Sequence, residues 1–343
     1  MLTLRKLSAG FGLEAVDIAE PAAPAAGEVL IRVEAVGICG SDVHIYEWTD
    51  GYDFMLPHLP VTLGHEFAGH VAAAGPGTGL AVGTRVAVLP AVACGTCAMC
   101  RKPEPQSCTA RRAVGLTLDG GFARHVTVPA ANVLPLPEGI DTELGALIEP
   151  LAVAADAVLV AEIRLGDTVL VLGPGTIGQG LALMARASGA GRVIVAGRAD
   201  GPRFEVLRRL GFTDIVDVAE GPLAEQVLAL TGGKPVDVVI EATGHPPSIV
   251  DGLAALKRGG ALVVAGIHPG PLSLPLTTFV RNRHQLRASH SSRPATWDRV
   301  VTLVAANPQA YRPMITHRLP LARGLEGFEL ARQRAASKVM LAP

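Results

Sequence analysis

The hydrophobic positions change their rhythm once along the chain. Over residues 1–150, strand-like apolar runs such as EVLIRVEAV, EFAGHVAAAG, TRVAVLPAV and ARHVTVPA are punctuated closely by glycine, proline and other turn residues. Such runs predict the strands of a partly open antiparallel barrel. From Leu151 the pattern alternates between helix and strand. LAVAADAVLVAEI, IGQGLALMARASG and RFEVLRRLG read as helices, and DTVLVLG, RVIVAG, DVVIEATG and ALVVAGI as strands. Near-continuous Val/Ile/Leu strands separated by helices predict a doubly wound parallel sheet covered on both faces. The segment Arg293 to Pro343 is expected to form a helix, a short loop and a terminal strand, SKVML, that returns to the first domain. The expected fold class is α/β in two domains, residues 1–150 with 288–343, and residues 151–287.

Length points the same way, since 343 residues exceed one ordinary core and favour about two domains. The 30 basic and 31 acidic residues leave a formal charge of −1. That balance offers no footprint for nucleic acid or an anionic membrane. Apolar residues make up 49% of the chain, but Asp156, Glu162, Gln179 and Arg186 interrupt the apolar segments before they could span a bilayer. The opening MLTLRKLSAGFGLEAVD lacks the long apolar core of a signal peptide, so a cytoplasmic protein is expected.

Four of the five cysteines, Cys94, Cys97, Cys100 and Cys108, follow C-x2-C-x2-C-x7-C. That spacing lets four thiolates converge on one tetrahedral ion, and a structural zinc in a lobe over residues 93–109 is expected. Such a lobe buries too little to hold itself, so the metal must fix it. A redox-active pair is the alternative, but it needs only two of the four.

The fifth cysteine opens a second constellation. Between Gly37 and Glu66, the segments GICGSDVHIYEW and LGHE gather Cys39, Ser41, His44, His65 and Glu66. Thiolate, imidazole and carboxylate are the ligand types of a catalytic zinc that keeps one position open. Taken singly, Cys39 reads as a small buried hydrophobe; the combination changes that reading. Gly37, Gly40 and Gly64 flank the candidate ligands, as expected where backbone bends tightly around an ion. Ser41 and His44 could form a short proton path leading away from the metal.

Gly173, Gly175 and Gly178 in VLVLGPGTIGQG match G-x-G-x-x-G after a strand and before a helix. In that context the glycines let backbone approach a pyrophosphate resting on the helix N-terminus, and a nicotinamide dinucleotide is the expected ligand. The next strand normally ends in an acid that binds ribose hydroxyls. Here VIVAGRADGPR places Gly197 and Arg198 at that point. Arg198 and Arg203 suit a 2′-phosphate and favour NADP; the alternative is that Asp200 supplies the acid from a longer turn.

Together GICGSDVH, LGHEFAGHV, the four-cysteine lobe, IEPLAVA, VLGPGTIG and SKVML resemble the zinc-dependent medium-chain alcohol dehydrogenase family over essentially the whole chain. The resemblance implies a GroES-like barrel domain and a Rossmann domain. Where that family's alcohol dehydrogenases place a second cysteine ligand, this chain has Glu149 in IEPLA, which is similar to the branch of sorbitol, other polyol and threonine dehydrogenases. The resemblance implies a zinc held by Cys39, His65 and Glu66, with Glu149 near enough to ligate directly or through water, and hence two zinc ions per chain. It also implies that the metal acidifies a substrate hydroxyl, and that Ser41 accepts its proton and relays it through the cofactor ribose to His44. The hydride then passes to the nicotinamide. By the same resemblance Thr243 and Ile267 approach the cofactor, Arg293 reaches its pyrophosphate, and the protein is a homotetramer or homodimer. The sheet edge near VVAGI is a candidate for pairing with a partner's sheet.

HIYEW and ITHRLPL resemble threonine dehydrogenases, but Ala91 stands where those typically carry a histidine before the first lobe cysteine. A polyol or other secondary alcohol therefore ranks above threonine, with Tyr46, Trp48 and Phe54 as candidate pocket residues. A zinc-independent quinone-type reductase and a non-catalytic nucleotide-binding protein are the alternatives. The intact Cys39, His65 and Glu66 set speaks against the first, and the retained Ser41 and His44 against the second.

Overall fold

A computed structural model describes residues 1–101 and 107–343. The chain divides into two compact units, Met1–Glu149 with Arg293–Pro343, and Pro150–Ser292. In the first unit a seven-stranded sheet runs in the order Val133–Pro135, Arg85–Val88, Glu66–Ala74, Glu28–Gly37, Lys338–Ala342 and Ile315–Pro320, with His125–Pro129 also paired to Glu28–Gly37. Most of its pairs are antiparallel, and the barrel-like domain follows the expected fold class. Val29, Ile31, Val33 and Val36 from the central strand pack with Phe67, Val71, Val86, Phe122, Phe328 and Leu341. Val29, Ile31 and Val33 are buried between more exposed neighbours, as one inward face of a pleated strand requires.

The second unit carries a six-stranded sheet ordered Ile215–Asp217, Arg192–Gly197, Thr168–Leu172, Val236–Glu241, Leu256–Val264 and Gln285–Ala288. All of its pairs are parallel. This is the 3-2-1-4-5-6 order of a dinucleotide-binding sheet. Four consecutive buried positions in Thr168–Leu172 and in Val236–Glu241 match strands covered on both faces.

Several expectations need correcting. The helix expected from Leu151 starts earlier and runs Thr142–Ala161, with Pro150 inside it. Asp141 Oδ1 accepts the Leu144 N–H at 3.0 Å and so secures its first turn. Its acids do not prevent this helix from being long and apolar enough to cross a membrane, but 78% of its apolar window is buried inside the protein. The end of the chain holds more than a helix, a loop and a strand, because strand Ile315–Pro320 and helix Gly324–Arg332 precede Lys338–Ala342. The strand containing VVAG is not an edge, since Gln285–Ala288 pairs with it and takes the outer position.

Candidate metal and dinucleotide sites

Cys39 immediately precedes helix Gly40–Glu47, and its N–H donates to Asp42 Oδ2 at 2.9 Å. An acid three residues into a helix can reach back to the cap in this way, and the cap aims the Cys39 end of the helix at the loop before strand Glu66–Ala74. There His65 and Glu66 complete a set whose ligand atoms, with Cys39 Sγ, all lie within 4.8 Å of one another. Glu149 is buried but is not part of that close set.

His65 Nε2 and Ser41 Oγ stand 3.3 Å apart, while His65 Nδ1 faces Asp42 Oδ1 at 3.4 Å. That second approach is an ion pair without hydrogen-bond geometry, and both atoms lack a hydrogen bond. Glu66 Oε2 pairs with Lys338 Nζ, which also donates to Ile38 O at 2.8 Å. Glu66 Oε1 is buried without a partner.

Burial opposes protonation of His65, yet the Asp42 carboxylate and Cys39 thiol outweigh it and hold the imidazole well above its ordinary range. Burial opposes the charge on Lys338 as well, and Glu66 and Cys39 again win. Burial pushes the Glu149 carboxyl up to about 7, with Glu66 adding to the rise and His65 opposing it. A buried cluster that favours protonation of His65, Lys338 and Glu149, and still leaves Glu66 Oε1 unpartnered, fits a cation. Cys39, His65 and Glu66 have the donor chemistry for zinc.

Of the flanking glycines, Gly37 leaves room for the Glu66 carboxylate, since a Cβ there would lie 2.4 Å from Glu66 Oε2. Gly64 has φ +94° and would place a Cβ 2.8 Å from Phe122 N, whereas a Cβ on Gly40 meets nothing within 4 Å. Ser41 and His44 share a helix without bonding to each other; His44 Nδ1 instead pairs with Thr49 Oγ1 at 3.2 Å. Burial lowers the His44 pKa against the opposing charge of Glu47.

The candidate aromatics have different surroundings, and the Phe54 ring lies 6.1 Å from that of Tyr52. The Tyr46 ring packs on Phe11 and Phe328 and its hydroxyl donates to Glu329 at 3.0 Å. Trp48 lies beneath Lys6 at 5.2 Å, and Phe54 is 51% exposed. Tyr52, which sequence reasoning missed, stacks on His44 at 6.2 Å. Burial, together with Cys39 and Asp42, raises its phenol pKa, so its hydroxyl feels the charges of the metal set. Asp42 and Lys338 were also missed. The cap spacing from Cys39 could have flagged Asp42, but nothing local flags Lys338.

In the lobe, Cys94, Cys97, Cys100 and Cys108 bring their Sγ atoms within 4.8 Å of one another. Resolved Sγ separations of 3.8, 3.5 and 4.0 Å bracket the roughly 3.8 Å edge of a tetrahedron with metal–sulfur bonds near 2.3 Å. The Cys97 and Cys100 N–H groups donate to Cys94 Sγ and Cys97 Sγ, each at 3.4 Å. N–H donors from Thr109 and Cys100 lower the Cys97 thiol to about 5, those from Thr96 and Cys97 lower Cys94 to about 7, and desolvation raises Cys100 to about 12. The four fit a thiolate-bound metal. Residues 102–106 of the expected lobe lie outside the described residues.

In the second unit, strand Thr168–Leu172 ends at Gly173, whose φ is +106°. Gly175 caps helix Thr176–Ala187, and a Cβ on Gly178 would fall 1.7 Å from Gly173 O. The turn is thus closed against side chains, and Gln179 Nε2 pins it by donating to Pro174 O at 2.9 Å. Arg203 Nη1 lies 4.0 Å from the position of a Gly175 Cβ and pairs with Asp200 at 3.3 Å. Arg198 is exposed just past strand Arg192–Gly197. Asp200, the alternative acid, is 5% exposed. Thr243 and Ile267 are exposed beyond strands Val236–Glu241 and Leu256–Val264, and Arg293 is exposed before helix Pro294–Ala306.

The family model "Alcohol dehydrogenase GroES-like domain" matches residues 25–138, and "Zinc-binding dehydrogenase" matches residues 176–306. The chain is 34% identical to L-threonine 3-dehydrogenase of Pyrococcus horikoshii, over 99% of this chain and 98% of that protein. It is 35% identical to L-galactonate-5-dehydrogenase of Escherichia coli K12, over 89% and 88% respectively. A structure from Sinorhizobium meliloti 1021 bound to NADP superposes with TM-score 0.87 at 31% identity, covering 100% of this chain and 99% of that one.

Proposed function

We propose, for a chain that belongs to the zinc-dependent alcohol dehydrogenase family, that its substrate is a polyol or related secondary alcohol oxidised to the ketone. The family makes it an oxidoreductase acting on CH–OH groups. The observation that carries the reading is the buried set of Cys39, His65 and Glu66 with an unpartnered Glu66 Oε1 and with Ser41 Oγ 3.3 Å from His65.

When bound, zinc would acidify a substrate hydroxyl and the nicotinamide would accept its hydride. Ser41 Oγ is the acceptor for the hydroxyl proton. His44, held by Thr49 and kept neutral by burial, is the group able to take a proton onward to solvent. Asp42 lies behind His65, 3.4 Å from Nδ1, where its charge favours the protonated imidazole. Two zinc ions per chain follow from the two ligand sets. Four thiolate ligands suit a reducing compartment and so a cytoplasmic enzyme.

NADP is the preferred cofactor in this reading. Arg203 is already paired to Asp200, which leaves the exposed Arg198 as the residue to bind a 2′-phosphate. The S. meliloti relative was solved with NADP. The protein is read as a homodimer or homotetramer, built through edge strand Gln285–Ala288, where Leu286 is 43% exposed. A threonine substrate is the second reading, supported by the name of the P. horikoshii relative and by HIYEW.

Initial rates with NAD and NADP against sugar alcohols, simple secondary alcohols and L-threonine decide the matter. Turnover of a polyol supports the first reading, and turnover of L-threonine alone replaces it with the second. Arg198→Ala should weaken NADP more than NAD; equal effects would remove the argument for NADP.

A further inference from the structure

Glu241 ends strand Val236–Glu241 with no solvent exposure. Its Oε1 accepts the Thr243 N–H and the Thr243 hydroxyl, each at 2.5 Å, and the Gly244 N–H and Ser248 hydroxyl, each at 3.1 Å. Its other oxygen, Oε2, meets His268 Nε2 at 2.7 Å. The main-chain oxygen of the same residue accepts the N–H groups of Ala265 and Gly266 at 2.8 and 3.1 Å. One residue therefore fastens both loops that leave the carboxyl ends of adjacent parallel strands, where such sheets bind their ligands.

The two loops close over this carboxylate with no room to spare. A Cβ on Gly266 would lie 2.6 Å from Gly244 N and 2.7 Å from Glu241 Oε2, and one on Gly244 would lie 2.6 Å from Ile267 O. Above the buried carboxylate the same loops leave Thr243 exposed and Ile267 48% exposed. His268 reaches back from just beyond Ile267, and its Nδ1 is buried without a hydrogen bond. The contact with Glu241 is thus the hydrogen bond that anchors this imidazole. A charge-assisted bond of that kind is stronger than a neutral one and is costly to break where water cannot replace it.

We propose that Glu241 and His268 form a clamp that sets the spacing of the Thr243 and Ile267 loops, making both of them positioning residues for the dinucleotide. The proposal rests on the dehydrogenase reading above. The clamp acts on cofactor affinity through the loops it holds.

The test uses the full-length, zinc-replete protein and compares His268→Ala with His268→Gln, whose side-chain amide can return an N–H donor near the position of Nε2. Dissociation constants for NADPH and NADH are read by fluorescence titration, and amide exchange at Thr243 and Gly244 by mass spectrometry. In His268→Ala the dissociation constant should rise about tenfold, as expected for one lost hydrogen bond to a charged group, and exchange at Thr243 and Gly244 should accelerate. In His268→Gln both should return to within about threefold of the unaltered protein. Unaltered affinity in His268→Ala overturns the clamp, and so does equal loss in the two variants, which would reflect general loop packing. If the unaltered protein binds neither dinucleotide, the cofactor reading falls and the clamp falls with it.

Discussion

The four-cysteine lobe collects its thiols from Cys94 to Cys108, only 14 residues apart, whereas the Cys39 site depends on a lysine 272 residues from Glu66. In the lobe the thiols are half-exposed, and local N–H donors lower Cys94 and Cys97. In the Cys39 site the carboxylates and imidazole are buried, and distant side chains balance their charge. Local N–H donors favour thiolates in a small lobe with little core of its own, the state that a metal would take up. Buried, mutually dependent charges instead keep a site poised for a cation that the fold alone only partly replaces.

The largest break in this comparison comes from Cys39→Ser. It should lower kcat/KM by about a thousandfold or more, since metal activation of the hydroxyl carries several kcal/mol of the barrier. It should also remove one zinc equivalent and leave the melting temperature nearly unchanged. Retention of both activity and the full zinc content would refute the assignment of Cys39. Cys97→Ser should do the opposite: the lobe loses a ligand and folding energy on the order of a few kcal/mol, which thermal unfolding reads directly. A melting temperature equal to that of the unaltered protein would remove the structural role of the lobe metal.

How much of this was legible follows from where the partners lie. The convergence of the four lobe thiols could be read from spacing alone because they are neighbours in sequence. The glycine turn could too, since Gly173, Gly175 and Gly178 act within one strand–turn–helix. Cys39, His65 and Glu66 were recognisable as residue types, but their supports were not. Asp42 hides in an ordinary helical first turn, and Tyr52 hides in a loop between Gly51 and Asp53. Lys338 sits in the terminal strand SKVML, which reads only as a strand. Glu241 was equally hidden, because in EATG the exposed Thr243 draws notice and the buried acid beneath it does not. Thr49, whose hydroxyl lies 3.2 Å from His44 Nδ1, was likewise not flagged as a support of the expected relay from Ser41 through the cofactor ribose to His44. The start of helix Thr142–Ala161 was missed because Pro150 suggests a boundary, while Asp141 secures the true first turn.

A smaller effect sharpens the contrast between local and distant balance. Lys338→Met leaves the Glu66 carboxylate buried without its counter-charge, a loss of about 3–5 kcal/mol when one partner of a buried pair is removed. Zinc at the same site supplies positive charge, so the gain in melting temperature on adding zinc should be larger in the variant than in the unaltered protein. Equal gains would mean that Lys338 and the metal do not share the Glu66 charge.

The subtlest test concerns Glu149. Burial raises its carboxyl from 4.5 to about 7. Between those values the folded protein keeps a proton that the unfolded chain has already released. The folded state binds more protons, so stability is fully present below about pH 4.5 and falls as the pH rises through about 7. Glu149→Gln carries a neutral amide at every pH and removes this slope. In zinc-free protein, urea unfolding at about pH 5 and about pH 8 should show the unaltered chain losing more stability than Glu149→Gln over that interval. Bound zinc places a cation near the ionised carboxylate and should shrink the difference. The same slope in both proteins would show that Glu149 titrates as an ordinary carboxylate and takes no part in the charge balance around Cys39, His65 and Glu66.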